Sequence, residues 1–215
     1  MRISRVRIVR IVFVIAFSLC FAQQATAQYI GVLQSAETID RGIFKLMAAP
    51  IMVFGKDGAD NEFGVGARGG YGFTERFDAE AKLGFFENGT FVGADGEYWI
   101  FGGSEETSAL DFSLTAGLHW MFGKDNGYDN MGFEITPQLS GNVTENLELC
   151  GALDASFESI QDVPEGVDDS FTRLHLVPGI EYRMSDTVDL VAEFGIALND
   201  NSSHYLGAGI AYYIR

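Results

Sequence analysis

Four carboxylates recur in the same setting along this chain: Phe77-Asp78-Ala79, Leu110-Asp111-Phe112, Leu147-Glu148-Leu149 and Val188-Asp189-Leu190. Each follows a turn, and each stands between two apolar residues. In an extended strand, neighbouring side chains point to opposite faces. An acid between two apolar residues therefore faces away from the surface they cover. Equal spacing from the turn puts the four at one depth, as an acidic ring. Open to water, such a ring is a constriction that prefers cations. Closed, it is one half of a salt-bridge network that plugs the space, since unpaired charges in a narrow interior are costly. Arg183 and Arg215, at the ends of strands running the opposite way, are the basic partners nearest to hand for the closed arrangement.

Other chemistries find less support. A hydrolase needs a nucleophile and a positioned base. The three histidines are His119, His175 and His204, and only Ser203-His204 joins a histidine to a hydroxyl; adjacent residues on a strand face opposite ways and make a poor dyad. Asp57, Asp60 and Glu62, or Asp125, Asp129 and Asn130, offer oxygen ligands without the spacing of a calcium loop, and read as solvated turns. The expectation is a protein that is not an enzyme, with no cofactor, no catalytic residues and no metal ligands.

The elements that would position the acids are ten alternating stretches: 43–54, 62–73, 76–86, 90–101, 109–122, 131–141, 146–157, 171–184, 187–198 and 204–215. In residues 173–183 the apolar set is Leu174, Leu176, Pro178, Ile180 and Tyr182, while the other face carries Arg173, His175, Glu181 and Arg183. These strands exceed the five or six residues usual in globular proteins and match the roughly nine to eleven that a tilted strand needs to cross a bilayer. The connections alternate between tight turns and larger loops rich in Gly, Asp and Asn, as in membrane barrels. One face of every strand lacks charge and is edged by aromatics. The other would line a lumen with Lys45, Arg68, Asp78, Glu80, Lys82, Asp95, Glu97, Asp111, Glu134, Glu148, Asp154, Arg173, His175, Glu181, Arg183, Asp189 and Glu193. Gly64, Gly66, Gly70 and Gly72 share that inner face, where they relieve crowding or let the strand curve. Pro50, Pro137 and Pro178 fall inside strands, which suggests local bulges.

The fold class expected is all-β: an antiparallel up-and-down transmembrane β-barrel of ten strands, with eight or twelve as alternatives. Residues 1–27 read as a signal peptide, with Arg2, Arg5, Arg7 and Arg10 before an apolar run and Ala25-Thr26-Ala27 as the cleavage site. Residues 28–41 form an N-terminal segment of unassigned role, and 42–215 form the barrel. Without the leader, ten basic residues face 30 acidic ones, a formal charge of −20. That argues against nucleic acid as a partner. It suits a lumen or surface that meets small solutes or ions, or that bridges to anionic lipid through divalent cations. Cys150 is the one cysteine after the leader, so no internal disulfide forms.

Three turn units carry a family resemblance: Tyr71-Gly72-Phe73-Thr74-Glu75-Arg76-Phe77-Asp78, Val143-Thr144-Glu145-Asn146-Leu147-Glu148 and Tyr182-Arg183-Met184-Ser185-Asp186-Thr187-Val188-Asp189. The ending Gly209-Ile210-Ala211-Tyr212-Tyr213-Ile214-Arg215 adds to it, although such chains usually finish on Phe or Trp. The chain resembles the small outer-membrane β-barrel proteins of bacteria, the porin-like group that includes the outer-membrane protein A and X barrels. The resemblance implies the bacterial outer membrane as location, its lipid and lipopolysaccharide as partners, and a monomer. The expected role is structural or a narrow passive pore with a charged lumen. The alternatives are a surface-binding or adhesion barrel acting through the acidic loop 158–170, and a lipid-modifying enzyme.

Overall fold

The computed structural model describes residues 30–56, 58–102, 110–124, 129–161 and 169–215. The expected leader, and the loop aspartates Asp57 and Asp125, lie outside these residues. Ten strands form: β1 (Phe44–Val53), β2 (Glu62–Thr74), β3 (Phe77–Phe86), β4 (Gly89–Phe101), β5 (Asp111–Gly123), β6 (Asn130–Thr144), β7 (Leu147–Ile160), β8 (Ser170–Ser185), β9 (Val188–Ala197) and β10 (Tyr205–Ile214). Each pairs antiparallel with its sequence neighbours, and β1 closes on β10 from Phe44↔Ile214 to Val53↔Tyr205. The barrel therefore has the ten strands of the first expectation, with no open edge.

Alternation decides which side chains face in. Along β5, Asp111, Ser113, Thr115, Gly117, His119 and Met121 are buried, while Leu114, Leu118, Trp120 and Phe122 are exposed. An exposed belt of large apolar residues with an interior of charge inverts a water-soluble barrel and suits lipid outside.

The three resembling turns share one local device. Thr74 Oγ1 accepts from Arg76 N, Thr144 Oγ1 from Asn146 N and Ser185 Oγ from Thr187 N, at 3.1, 3.3 and 3.4 Å. A short hydroxyl side chain thus satisfies the amide two residues on. The register shifts at the same places, at Gly72/Thr74, Asn142/Thr144 and Arg183/Ser185. The strand prolines behave otherwise than expected. Pro50, Pro137 and Pro178 make no bulge. The ladder on one side skips the proline and resumes in unchanged register, as from Ala48↔Ile210 to Ile51↔Gly207. The same holds from Ile135↔Ala155 to Gln138↔Ala152, and from Leu176↔Ile196 to Gly179↔Glu193. A missing N–H costs a rung and does not require an extra residue.

The barrel is not hollow. Residues 30–40 run through the lumen as irregular chain, and Arg41 makes an isolated parallel bridge to Gly72. Ile30, Val32 and Leu33 pack on Met47, Ala49, Ile51 and Val53 of β1 and on Phe86, Phe91, Val191 and Tyr205. For residues 30–41, the described part of the segment whose role was left unassigned, the place is the barrel's own core.

Candidate functional site: the filled lumen

Two structures fill the lumen: one is built from strand side chains that point inward, the other is the chain that precedes the first strand. The first is a continuous run of opposite charges. Lys45 Nζ meets Glu80 Oε1 at 2.9 Å, and Arg68 Nε meets Glu80 Oε2 at 2.5 Å. Arg68 Nη2 reaches Asp95 at 3.3 Å, and Lys82 joins Asp95 to Glu134. His119 stands between Glu134 (3.6 Å) and Glu158 (3.0 Å), and Arg173 closes on Glu158 at 3.0 Å. The run crosses the inner wall from β1 to β8. All its members are buried, so each charge depends on its partner.

The second structure is the N-terminal segment. Gly31 and Leu33 adopt left-handed backbone, with φ of 85° and 48°. That is ordinary for glycine and strained for leucine. It turns two successive amides to one side, and both land on one carboxylate: Val32 N and Leu33 N donate to Glu193 at 2.9 and 2.6 Å. Consecutive amides gathered on an anion form a backbone nest. Arg68 grips the segment from the other side, donating to Val32 O and, at 2.6 Å, to Gln34 Oε1. Further along, Gln34 Nε2 donates to Glu97 (3.1 Å) and Thr115 (3.3 Å), Ala36 N to Ser140 Oγ (3.1 Å) and Ile39 N to Asp78 Oδ2 (2.6 Å). The segment leaves at Gly42, whose N donates to Gly72 O at 2.8 Å. Where it passes β7 to β9, the void beside it is about 10 Å³, room for at most one water.

Of the candidates for the lumen, Lys45, Arg68, Asp78, Glu80, Lys82, Asp95, Glu97, Asp111, Glu134, Glu148, Asp154, Arg173, His175, Asp189 and Glu193 are buried. Glu181 is half-buried and Arg183 exposed. Those two line a vestibule of about 200 Å³ at the turn-side mouth, with Glu37, Lys45, Asp189 and Arg215. The expected ring divides. Asp78 accepts the segment's amide, and Asp111 and Glu148 come together with Glu37. Arg183 and Arg215 make no ion pair with the four among the described residues; Arg215 Nη2 donates instead to Asp186 O at 3.2 Å. Glu37 is exposed as a residue, yet its carboxyl is hemmed in: burial first, and the Asp111 carboxylate second, raise it above the ordinary carboxyl value.

Sequence reasoning missed the segment's contacts and misplaced Glu158, read as the start of an acidic outer loop. Strand β7 continues to Ile160, and Glu158 lies inside against His119 and Arg173. Residues 162–168 of that loop are outside the described set. Ser203 and His204 form no dyad: the His204 ring stacks on Phe194, and its Nδ1 accepts from Ala197 N at 3.1 Å.

The family profile described as outer membrane protein beta-barrel domain matches residues 12–213. No curated protein matches the chain. Among solved structures, an outer-membrane channel from Pseudomonas putida is 11% identical, with 87% of this chain and 100% of that one covered and a TM-score of 0.56. The N-terminal β-barrel domain of Pseudomonas aeruginosa OprF is 13% identical, with 82% and 100% covered and a TM-score of 0.38. The KdgM porin is 11% identical, with 80% and 99% covered and a TM-score of 0.44. At such identity the likeness is one of fold. The chain belongs to the outer-membrane protein β-barrel domain family, and its place is the bacterial outer membrane.

Proposed function

We propose that this protein is a non-catalytic, monomeric outer-membrane barrel whose own N-terminal segment keeps the lumen closed. It conducts small solutes or ions only when that segment leaves. The observation that carries this reading is the double donation of Val32 N and Leu33 N to Glu193 on β9, with Arg68 on β2, three strands round the wall, holding Val32 O. A segment clamped across the lumen from two sides occludes it, and the buried ion pairs fill what remains. The outward partners are membrane lipid and lipopolysaccharide, met by the apolar belt and by the acidic surface through divalent cations.

Planar-bilayer recording tests the proposal. The intact protein should show little steady conductance, and a variant lacking residues 30–39 should show discrete openings. A large, steady conductance from the intact protein would refute it.

A further inference from the structure

The lumen holds far more acid than base. Among the described residues, Lys45, Arg68, Lys82 and Arg173 are the buried Lys and Arg side chains, and they pair with Glu80, Asp95, Glu134 and Glu158. Asp111 and Glu148 are equally buried and have no cationic side chain in contact. Together with Glu37 from the lumen segment, each places a carboxylate oxygen within 4.8 Å of the others. Three acids drawn together from β5, β7 and the segment repel one another, so proximity alone would argue against the arrangement.

A second observation gives the cluster a direction. Glu148 is 6% exposed, yet its Oε1 has no hydrogen-bond donor. Asp111 spends one oxygen on Trp99 Nε1 at 3.2 Å, and Trp99 is itself under the Arg76 guanidinium. Asp111 is thus held in place by a neutral donor, while a buried oxygen of Glu148 is left bare. A bare, buried carboxylate oxygen is costly unless a cation completes it.

We propose that Glu37, Asp111 and Glu148 bind a single hard divalent cation, of the Ca²⁺ class, that ties the lumen segment to the barrel wall. Three oxygens spread evenly round one Ca²⁺ stand roughly 4.0–4.5 Å apart and two on opposite sides roughly 4.6–5.2 Å, so three carboxylate oxygens within 4.8 Å of one another need only a slight shift to share one ion. Ca²⁺ also tolerates an irregular set completed by water from the vestibule, where Mg²⁺ demands near-octahedral geometry. The ion replaces carboxylate repulsion with attraction, so its binding and the docking of residues 30–41 favour each other. The site stands whether or not the barrel ever conducts, because its test reads binding and not current.

The test is calorimetric titration of Ca²⁺ into chelator-treated, detergent-folded full-length protein, with heat-shifted electrophoretic mobility confirming the fold of every variant. The expected result is one saturable Ca²⁺ per chain, weakened at least tenfold in E37Q and in E148Q and unchanged in D200N, which alters an acid at the opposite mouth. Glu37 lies outside the strands, so E37Q remains informative if E148Q fails to fold. The absence of saturable uptake at millimolar Ca²⁺ would overturn the site, as would binding that survives in E37Q.

Discussion

Replacing Gly72 with Ala tests the docked segment at its tightest point. A Cβ built at Gly72 would lie 2.2 Å from Asp40 O and 2.3 Å from Ile39 O. Both are backbone atoms of the segment, so no rotamer change relieves the clash. To regain ordinary contact the chain at residues 39–40 must retreat by more than an ångström, while β2 is fixed by ladders on both sides. The retreat strains three bonds: Gly42 N to Gly72 O (2.8 Å), Gly72 N to Ile43 O (3.1 Å) and Ile39 N to the Asp78 carboxylate (2.6 Å). Losing two neutral bonds and one to a charged acceptor costs about 3–5 kcal/mol in total. Even half of that raises the open population of the segment more than about tenfold. Hydrogen exchange read by mass spectrometry in detergent is the assay. Peptides covering residues 30–41 should exchange faster, and β5 peptides should not change. Gly69→Ala is the control, because its Cβ meets only Leu46 Cδ2 at 3.6 Å on the outer face. If exchange over residues 30–41 is unchanged in a folded Gly72→Ala protein, the segment does not pack on β2 as described.

Three further outcomes are expected. Arg68→Ala breaks a buried network and removes the grip on Val32 and Gln34. Denaturant unfolding should show a loss of about 3–5 kcal/mol, with Arg68→Lys failing to restore it because an ammonium cannot serve all those acceptors in one plane. Leu114→Arg puts a charge on the lipid face and should cost roughly 2–4 kcal/mol in vesicle refolding, whereas Leu114→Phe should be neutral; an unshifted midpoint for the arginine variant would place that face outside the hydrocarbon. Glu37, raised in the folded protein, holds its proton more tightly there than in the unfolded chain. In chelator, docking of the segment should therefore strengthen as pH falls toward the carboxyl range and weaken as pH rises through it. Glu37→Gln should flatten that dependence of exchange over residues 30–41, and a persisting slope would assign it to another group.

Much of this architecture could be read in the residues. Strand alternation is a backbone property, and with one face in lipid and the other on charge the pattern has no competing explanation. That is why Leu114 and Thr115, or Tyr182 and Glu181, sort correctly by parity. The segment was not legible, because residues 28–41 have neither period, and the partners of residues 32–39 lie on distant strands. Signals existed on the walls instead. Met47, Ala49, Ile51 and Val53 make the inner face of β1 apolar in a lumen otherwise charged, and the inward glycines of β2 leave space that something must occupy. Parity turns Asp78, Asp111, Glu148 and Asp189 inward, where all four are buried, but it cannot say that Ile39 N and Glu37 come to meet them in place of Arg183 and Arg215. Glu158 was misread because its charge looked like loop composition, while burial beside His119 and Arg173 is set by a strand that ends three residues later, at Ile160.

The double donation to Glu193 also orders events in time. Val32 and Leu33 meet a residue 161 and 160 positions away, on the ninth strand, so that contact cannot form until nearly the whole chain has been threaded into the sheet. Hairpins between neighbouring strands close short loops and form early, whereas this clasp closes one of the longest loops in the molecule. On that ordering the clasp belongs with the β1–β10 seam, Phe44↔Ile214, among the late contacts, and weakening it is expected to speed the barrel's coming apart more than to slow its assembly.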